Sequence, residues 1–166
     1  IAKKSLNEKN ASKIKFIKAN LEQPLPFLKD SFHKIVFLDV LEHLIKRDQI
    51  LDECRRILKK NGYMMIGVPN SRTSWKKLQR TVGVCSFSDP DHKIEFSETE
   101  IKNLLTKHRF KIVYFDYGKY DTPLRGLIDI IGGISITLYR HMSDFRAVAA
   151  QLNHKEASGF EIVVKK

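Results

Sequence analysis

Residues 31–70, SFHKIVFLDVLEHLIKRDQILDECRRILKKNGYMMIGVPN, constrain the fold of this chain more than any other stretch, because they read as strand, acidic turn, amphipathic helix, glycine stop and second strand. Ile35-Val36-Phe37-Leu38 is an unbroken apolar run, the pattern of a parallel strand covered on both faces. Ile50, Leu51, Cys54, Ile57 and Leu58 then fall on one face of a helix, with Asp48 placed to cap its start and Asn61-Gly62 to end it. Tyr63 to Val68 forms a second buried strand. Strand, helix and strand with short joints make a right-handed crossover between parallel strands. Ligands of such sheets sit beyond the carboxyl ends of the strands, which puts Asp39, Glu42, His43, Pro69 and Asn70 on the rim of a site.

The 166 residues, 42% of them hydrophobic, are enough for one domain with a substantial core. Cys54 and Cys85 lie far apart without metal-ligand spacing and read as inert thiols of a reducing compartment, so the expected location is cytoplasmic. No apolar run reaches the roughly 18 residues that span a bilayer, and no charged-then-apolar leader opens the chain, which begins at Ile1 rather than Met. The net charge of +11 favours acidic partners such as nucleic acid, phosphate-bearing metabolites or an anionic membrane surface. The lysines are spread as Lys3-Lys4, Lys59-Lys60, Lys76-Lys77 and Lys165-Lys166, which suits a solvated basic surface; a nucleic-acid partner is not favoured.

Elsewhere Ile1 to Lys9 reads as the tail of a helix, and Ile14 to Ala19 alternates towards a short strand ending at Asn20-Leu21-Glu22. A loop with Pro24 and Pro26 follows; Trp75, Leu78 and Val82 suggest a short helix, and Asp89-Pro90-Asp91 a turn. Ser97-Glu98-Thr99-Glu100 fits a capping box ahead of a helix carrying Ile101, Leu104 and Leu105. Lys111 to Tyr117 and Phe160 to Val164 are the last strands. The long segment between them, about 118–157, is an insertion with structure of its own.

Asn20-Leu21-Glu22 with Pro24-Leu25-Pro26-Phe27, Ser31-Phe32, Leu38-Asp39-Val40-Leu41-Glu42-His43-Leu44, Arg56-Ile57-Leu58-Lys59 with Gly62, Val68-Pro69-Asn70, and His92 with Phe96-Ser97 together resemble the class I S-adenosylmethionine-dependent methyltransferases, in particular the group that includes quinone-biosynthesis and many small-molecule enzymes. The resemblance covers nearly everything outside the insertion. It implies an α/β, Rossmann-like sheet, mostly parallel with the last strand antiparallel, and a single methyltransferase domain over 1–166. S-adenosylmethionine is the implied cofactor, with Asn20, Leu21 and Glu22 at the adenine and Leu38, Asp39 and Val40 beside the methionine. Three features depart from the family text. Asn20 stands where the family has an acidic residue, which keeps an acceptor for the adenine amino group but loses the charge. His33 stands where the family usually has Asp, and the Gly-x-Gly-x-Gly turn that wraps the amino-acid end of the cofactor is not found; Gly132-Gly133 is the one adjacent glycine pair. The family's first strands are thus absent, and the expectation is a downstream part of a methyltransferase.

His43 and His92 are candidate general bases for an acceptor hydroxyl, since imidazole titrates near neutrality; each is equally at home as a hydrogen-bonded structural histidine. Asp39, Glu42, His43 and His92 are similar to the set by which small-RNA 2′-O-methyltransferases hold a divalent cation. Leu-Glu-His is also common in methyltransferases without metal, so no metal ligand is assigned. Residues 124–140, apolar and flanked by Arg125, Arg140 and Arg146, read as a lid over the substrate or as a face for a lipid-like acceptor or peripheral membrane contact. The expected activity is direct methyl transfer to a small-molecule or lipid-like acceptor. The alternatives are a metal-dependent RNA methyltransferase and a catalytically silent partner subunit. Oligomeric state is not legible.

Overall fold

The computed structural model describes residues 14–166, so the helix tail expected over Ile1 to Lys9 lies outside the described residues. Strand β1 (Phe32–Leu38), helix α1 (Arg47–Ile57) and strand β2 (Leu58–Pro69) form the expected parallel crossover, with Lys34 beside Tyr63 and Leu38 beside Gly67. Helices α2 (Ser74–Thr81) and α3 (Glu98–Lys107), strand β3 (Lys111–Tyr117), helices α4 (Arg125–Ile134) and α5 (Ile136–Leu152) and strand β4 (Gly159–Lys165) complete the order. The described strands make one sheet, β1-β2-β4-β3, in which β4 runs antiparallel to both neighbours. This is the mixed Rossmann-like arrangement that the resemblance implies.

One face of the sheet is closed. Phe37, Met64, Ile66, Val68, Phe160, Ile162 and Val164 alternate onto it and pack with Ile50, Leu51 and Cys54 of α1 and Ile101 and Leu105 of α3. Burial among these side chains also pushes the Cys54 thiol up to about 12, so it is inert as expected. Among the described residues the opposite face is uncovered: Val36 is 68% exposed, and Leu38, Tyr63 and Tyr114 are exposed with it. The apolar run in β1 had suggested cover on both faces, whereas α1 and α3 both pack on one.

Three further local expectations change. Ile14 to Ala19, expected as a short strand, is irregular chain that leads through Asn20 into a turn at Leu21-Glu22. The helix stop comes early, for α1 ends at Ile57, and Asn61, at φ +63°, serves instead an irregularity early in β2. Such a left-handed residue suits a strand irregularity as well as a helix end. Asp48 sits in the first turn of α1 rather than at its cap, where it accepts from Lys107 and bonds His108 at 2.7 Å each. The short helix expected from Trp75, Leu78 and Val82 forms as α2, with Leu78 and Val82 exposed and the side chain of Lys76 buried.

The capping box at α3 is present in full, Ser97 and Glu100 each bonding the other's backbone amide. The Pro24-Pro26 loop is fastened to α1 through Leu25, whose amide donates to Glu53 (2.8 Å), and Arg56, which donates to the Phe27 carbonyl (2.8 Å). The long connection forms the two helices α4 and α5, separated at Ser135, whose hydroxyl accepts from the Leu138 amide. A side chain at Gly132 would stand 2.9 Å from the Tyr139 ring, so glycine lets the helices meet. The connection returns beside its start: Asp121 N–H donates to the Glu156 carbonyl and Ser158 N–H to that of Lys119. Asn70 closes the loop by donating its Nδ2 to Ala157 O at 2.8 Å.

Candidate functional site

Because β1 and β2 are parallel, Leu38 and Gly67 end side by side on the rim, and the next residue, Asp39, turns the chain away with φ +51°. A non-glycine residue in that region is uncommon and concentrates at functional sites. Asp39 is exposed and lines a cleft of about 390 Å3 with Leu38, Gly67, Lys119, Tyr139 and Arg146. Sheet rim and insertion thus supply opposite walls of one polar opening, its volume within the usual range for small-molecule sites.

Beyond Asp39, the short helical turn Leu41–His43 drops Glu42 into the interior, where its carboxyl is 1% exposed and its Oε2 has no partner. Burial pushes this carboxyl above the usual range, and Asp39 adds to the rise, while its own amide, His92 and His43 work against it. The His43 and His92 rings meet edge to face at 4.7 Å. Glu42, His43 and His92 each offer a ligand atom within 4.8 Å of the others; Asp39 is not one of this group.

His92 is held from behind. Its Nδ1 lies 3.1 Å from Glu95 Oε1, and Glu95 is ion-paired with buried Lys76 and accepts from the Ser88 amide (2.6 Å). Burial alone would raise the Glu95 carboxyl; Lys76, Ser88 and His92 hold it below its ordinary value. Neither histidine lines the cleft, but Ser88 does, so the network reaches the opening there.

The residues assigned to adenine are local in their bonding. Asn20 Oδ1 accepts from the Glu22 amide at 2.9 Å, and Glu22 accepts from the amides of Ile45 and Lys46, which lead into α1. Those two amides hold the Glu22 carboxyl below its ordinary value. Leu21 and Val40 pack against the core. The reading of residues alone missed Lys76, Ser88, Glu95 and Lys119, and had Arg146 as a basic neighbour of residues 124–140 rather than as a wall of the cleft. Lys76 and Glu95 carried no periodic signal, since their partnership exists only after α2 and the loop before α3 fold together.

For S-adenosylmethionine, the rim fits one end of the molecule: a carboxylate at Asp39 beside a wall that is bare at Gly67, where a Cβ would come 3.0 Å from Leu38. The family's glycine-rich turn is not among the 166 residues.

Residues 1–66 match the family model described as a methyltransferase domain. No curated protein sequence matches the chain. Among solved structures, a methyltransferase from Thermotoga maritima superposes with a TM-score of 0.61 at 18% identity, over 95% of this chain and 68% of that one. One from Archaeoglobus fulgidus gives 0.60 at 17% identity, over 96% and 73%. The [4+2]-cyclase SpnF gives 0.59 at 13% identity, over 96% and 58%. At these identities the likeness is one of fold, and the cyclase illustrates that a fold does not dictate its reaction. With the parallel crossover, the antiparallel last strand and the methyltransferase-domain match over its first 66 residues, the chain is similar in fold to the class I S-adenosylmethionine-dependent methyltransferases.

Proposed function

We propose that this protein transfers a methyl group from S-adenosylmethionine to a small-molecule or lipid-like acceptor held in the rim cleft. The observation that carries the reading is the left-handed Asp39 turn, set at the carboxyl ends of β1 and β2 and facing the insertion across a polar opening. When bound, S-adenosylmethionine supplies an electrophilic methyl group on a sulfonium. The chain's part is alignment and removal of one acceptor proton. Asp39 and the Leu38-Val40 backbone would orient the cofactor's amino-acid end, and Asn20, Leu21 and Glu22 its adenine. Glu95, kept ionised by Lys76, accepts a hydrogen bond from Nδ1–H of His92, which fixes the neutral tautomer whose Nε2 keeps its lone pair, the form that a base requires. His43 is the other candidate for that role.

Calorimetry of the full-length protein with S-adenosylmethionine tests the reading. Heat of binding that is lost in Asp39→Ala, together with label transfer from methyl-labelled cofactor, is the expected result. Absence of heat overturns it and leaves a catalytically silent partner subunit.

A second reading is favoured by one feature, the buried and unpartnered Glu42 Oε2 beside two imidazoles. A carboxylate with two histidines suits Mn²⁺ or Zn²⁺, and the Glu95 contact to the far nitrogen of His92 is the kind of outer support that metal-bound histidines use. This would be a metal-assisted methyltransferase acting on RNA, in keeping with the basic charge. Activity that is lost to chelator and restored by Mn²⁺ supports it; indifference to chelator removes it.

A further inference from the structure

We infer that the groove between α4 and α5 holds the hydrocarbon chain of the acceptor, with its polar end in the rim cleft; this deepens the methyl-transfer reading and rests on it. The groove measures about 610 Å3 and is walled chiefly by Leu124, Leu127, Ile128, Met142, Phe145 and Ala149. Leu127 and Phe145 stay 55% and 74% exposed, and Leu124 is exposed beside them. Leaving such surface in water forgoes about 25 cal/mol for each Å2 that a ligand could cover, and contiguous apolar surface of this kind marks interaction sites.

Continuity with the cleft decides the occupant. Arg146 lines both openings, and its guanidinium donates twice to the Tyr120 carbonyl (2.9 and 2.8 Å), so it is a fixed post between them. On the groove side the walls are almost wholly apolar; on the cleft side stand Lys119, Asp129 and Asp39. One molecule with an apolar chain and a polar end matches both. A flat bilayer would instead engage the outward residues of the helices, such as Ile134, which is 84% exposed and lines neither opening.

The test is a fluorescence titration of the full-length protein with pyrene-labelled decanoate kept below its aggregation concentration, competed with unlabelled decanoate. Leu127→Glu and Phe145→Glu, both exposed, are expected to weaken binding about tenfold or more, the loss of roughly one side chain's apolar contact; Ile134→Glu should leave it unchanged. An equal loss in Ile134→Glu, no binding of the probe, or binding only to phosphatidylcholine vesicles overturns the groove assignment. Calorimetry with S-adenosylmethionine on the same samples separates the two readings. Cofactor heat without probe binding sinks the groove alone, whereas probe binding without cofactor heat keeps a hydrocarbon site but removes its role in methyl transfer.

Discussion

The closed face of the sheet and the cluster beneath Asp39 are both buried, yet they are made of opposite materials. On the face, Ile66, Ile162 and Leu51 exclude water completely and gain from doing so. In the cluster, Glu42, His92, Glu95 and Lys76 are nearly as inaccessible, and each must recover by pairing what burial took from it. Three of them do, along the line Lys76, Glu95, His92, whereas Glu42 keeps one oxygen unpaired. The core is thus organised for stability, and the cluster tolerates a cost that stability alone would remove. That is the usual mark of a site kept for chemistry.

The contrast can be broken most directly at Lys76. Lys76→Ala leaves Glu95 buried without its ion partner and is expected to lower unfolding free energy by about 3–5 kcal/mol, read by urea denaturation of the full-length protein. Lys76→Met with Glu95→Gln should recover part of that loss. Recovery in the double variant shows a pairing debt; no recovery would mean that the site behaves like ordinary core. On the closed face, Ile66→Ala should cost about 2–5 kcal/mol, with no neighbouring substitution that restores it. On the open face, Val36→Ala should fall within about 0.5 kcal/mol of the parent, and a larger loss would mean that this face is covered in the full-length protein.

Two carboxylates in the cluster sharpen the contrast through pH. Glu95 is depressed, so its contribution is present above its ordinary value of 4.5 and is lost as pH falls through its lower folded value. Glu42 is raised, which reverses the sign: its contribution is whole below 4.5 and is lost as pH climbs through its higher folded value. Glu42→Gln, which need not ionise, should therefore be more stable than the parent near neutral pH, by about 1 kcal/mol. The gain should vanish below pH 4.5, as thermal unfolding at both pH values with chelator present will tell. A variant less stable at neutral pH would mean that the carboxylate is needed there. Ser97→Ala should cost about 0.5–2 kcal/mol from a lost helix cap, independent of either region.

What was legible in the residues follows how far apart the informative groups lie. Ile35 to Leu38, the apolar face of α1 and the Ser97-Glu100 box are local patterns, and each became the element it suggested. Asn61-Gly62 was legible as a left-handed turn but not as the end of α1, because a helix stop and a strand irregularity ask the same backbone angle of a residue. Asp39 could be placed on the rim since strand ends fix rims, but Glu42 turns into the interior behind it and His43 does not line the cleft. The support for His92 could not: Glu95 is near in sequence, but Lys76 comes from a helix whose apolar residues pointed to another face. Long-range ionic pairing leaves no periodic trace.

Gly159 has a consequence for how such a protein can change over generations. A Cβ there would lie 2.7 Å from the Val68 carbonyl, and beside it Asn70 binds the carbonyls at Lys155 and Ala157. The point where the two-helix segment rejoins the sheet is therefore locked, while the helices between reach the rest of the molecule through few side-chain bonds, such as that of Gln151 to Asp116. New acceptors could be recruited by exchanging that one cassette, with the strand order and the Asp39 turn inherited intact.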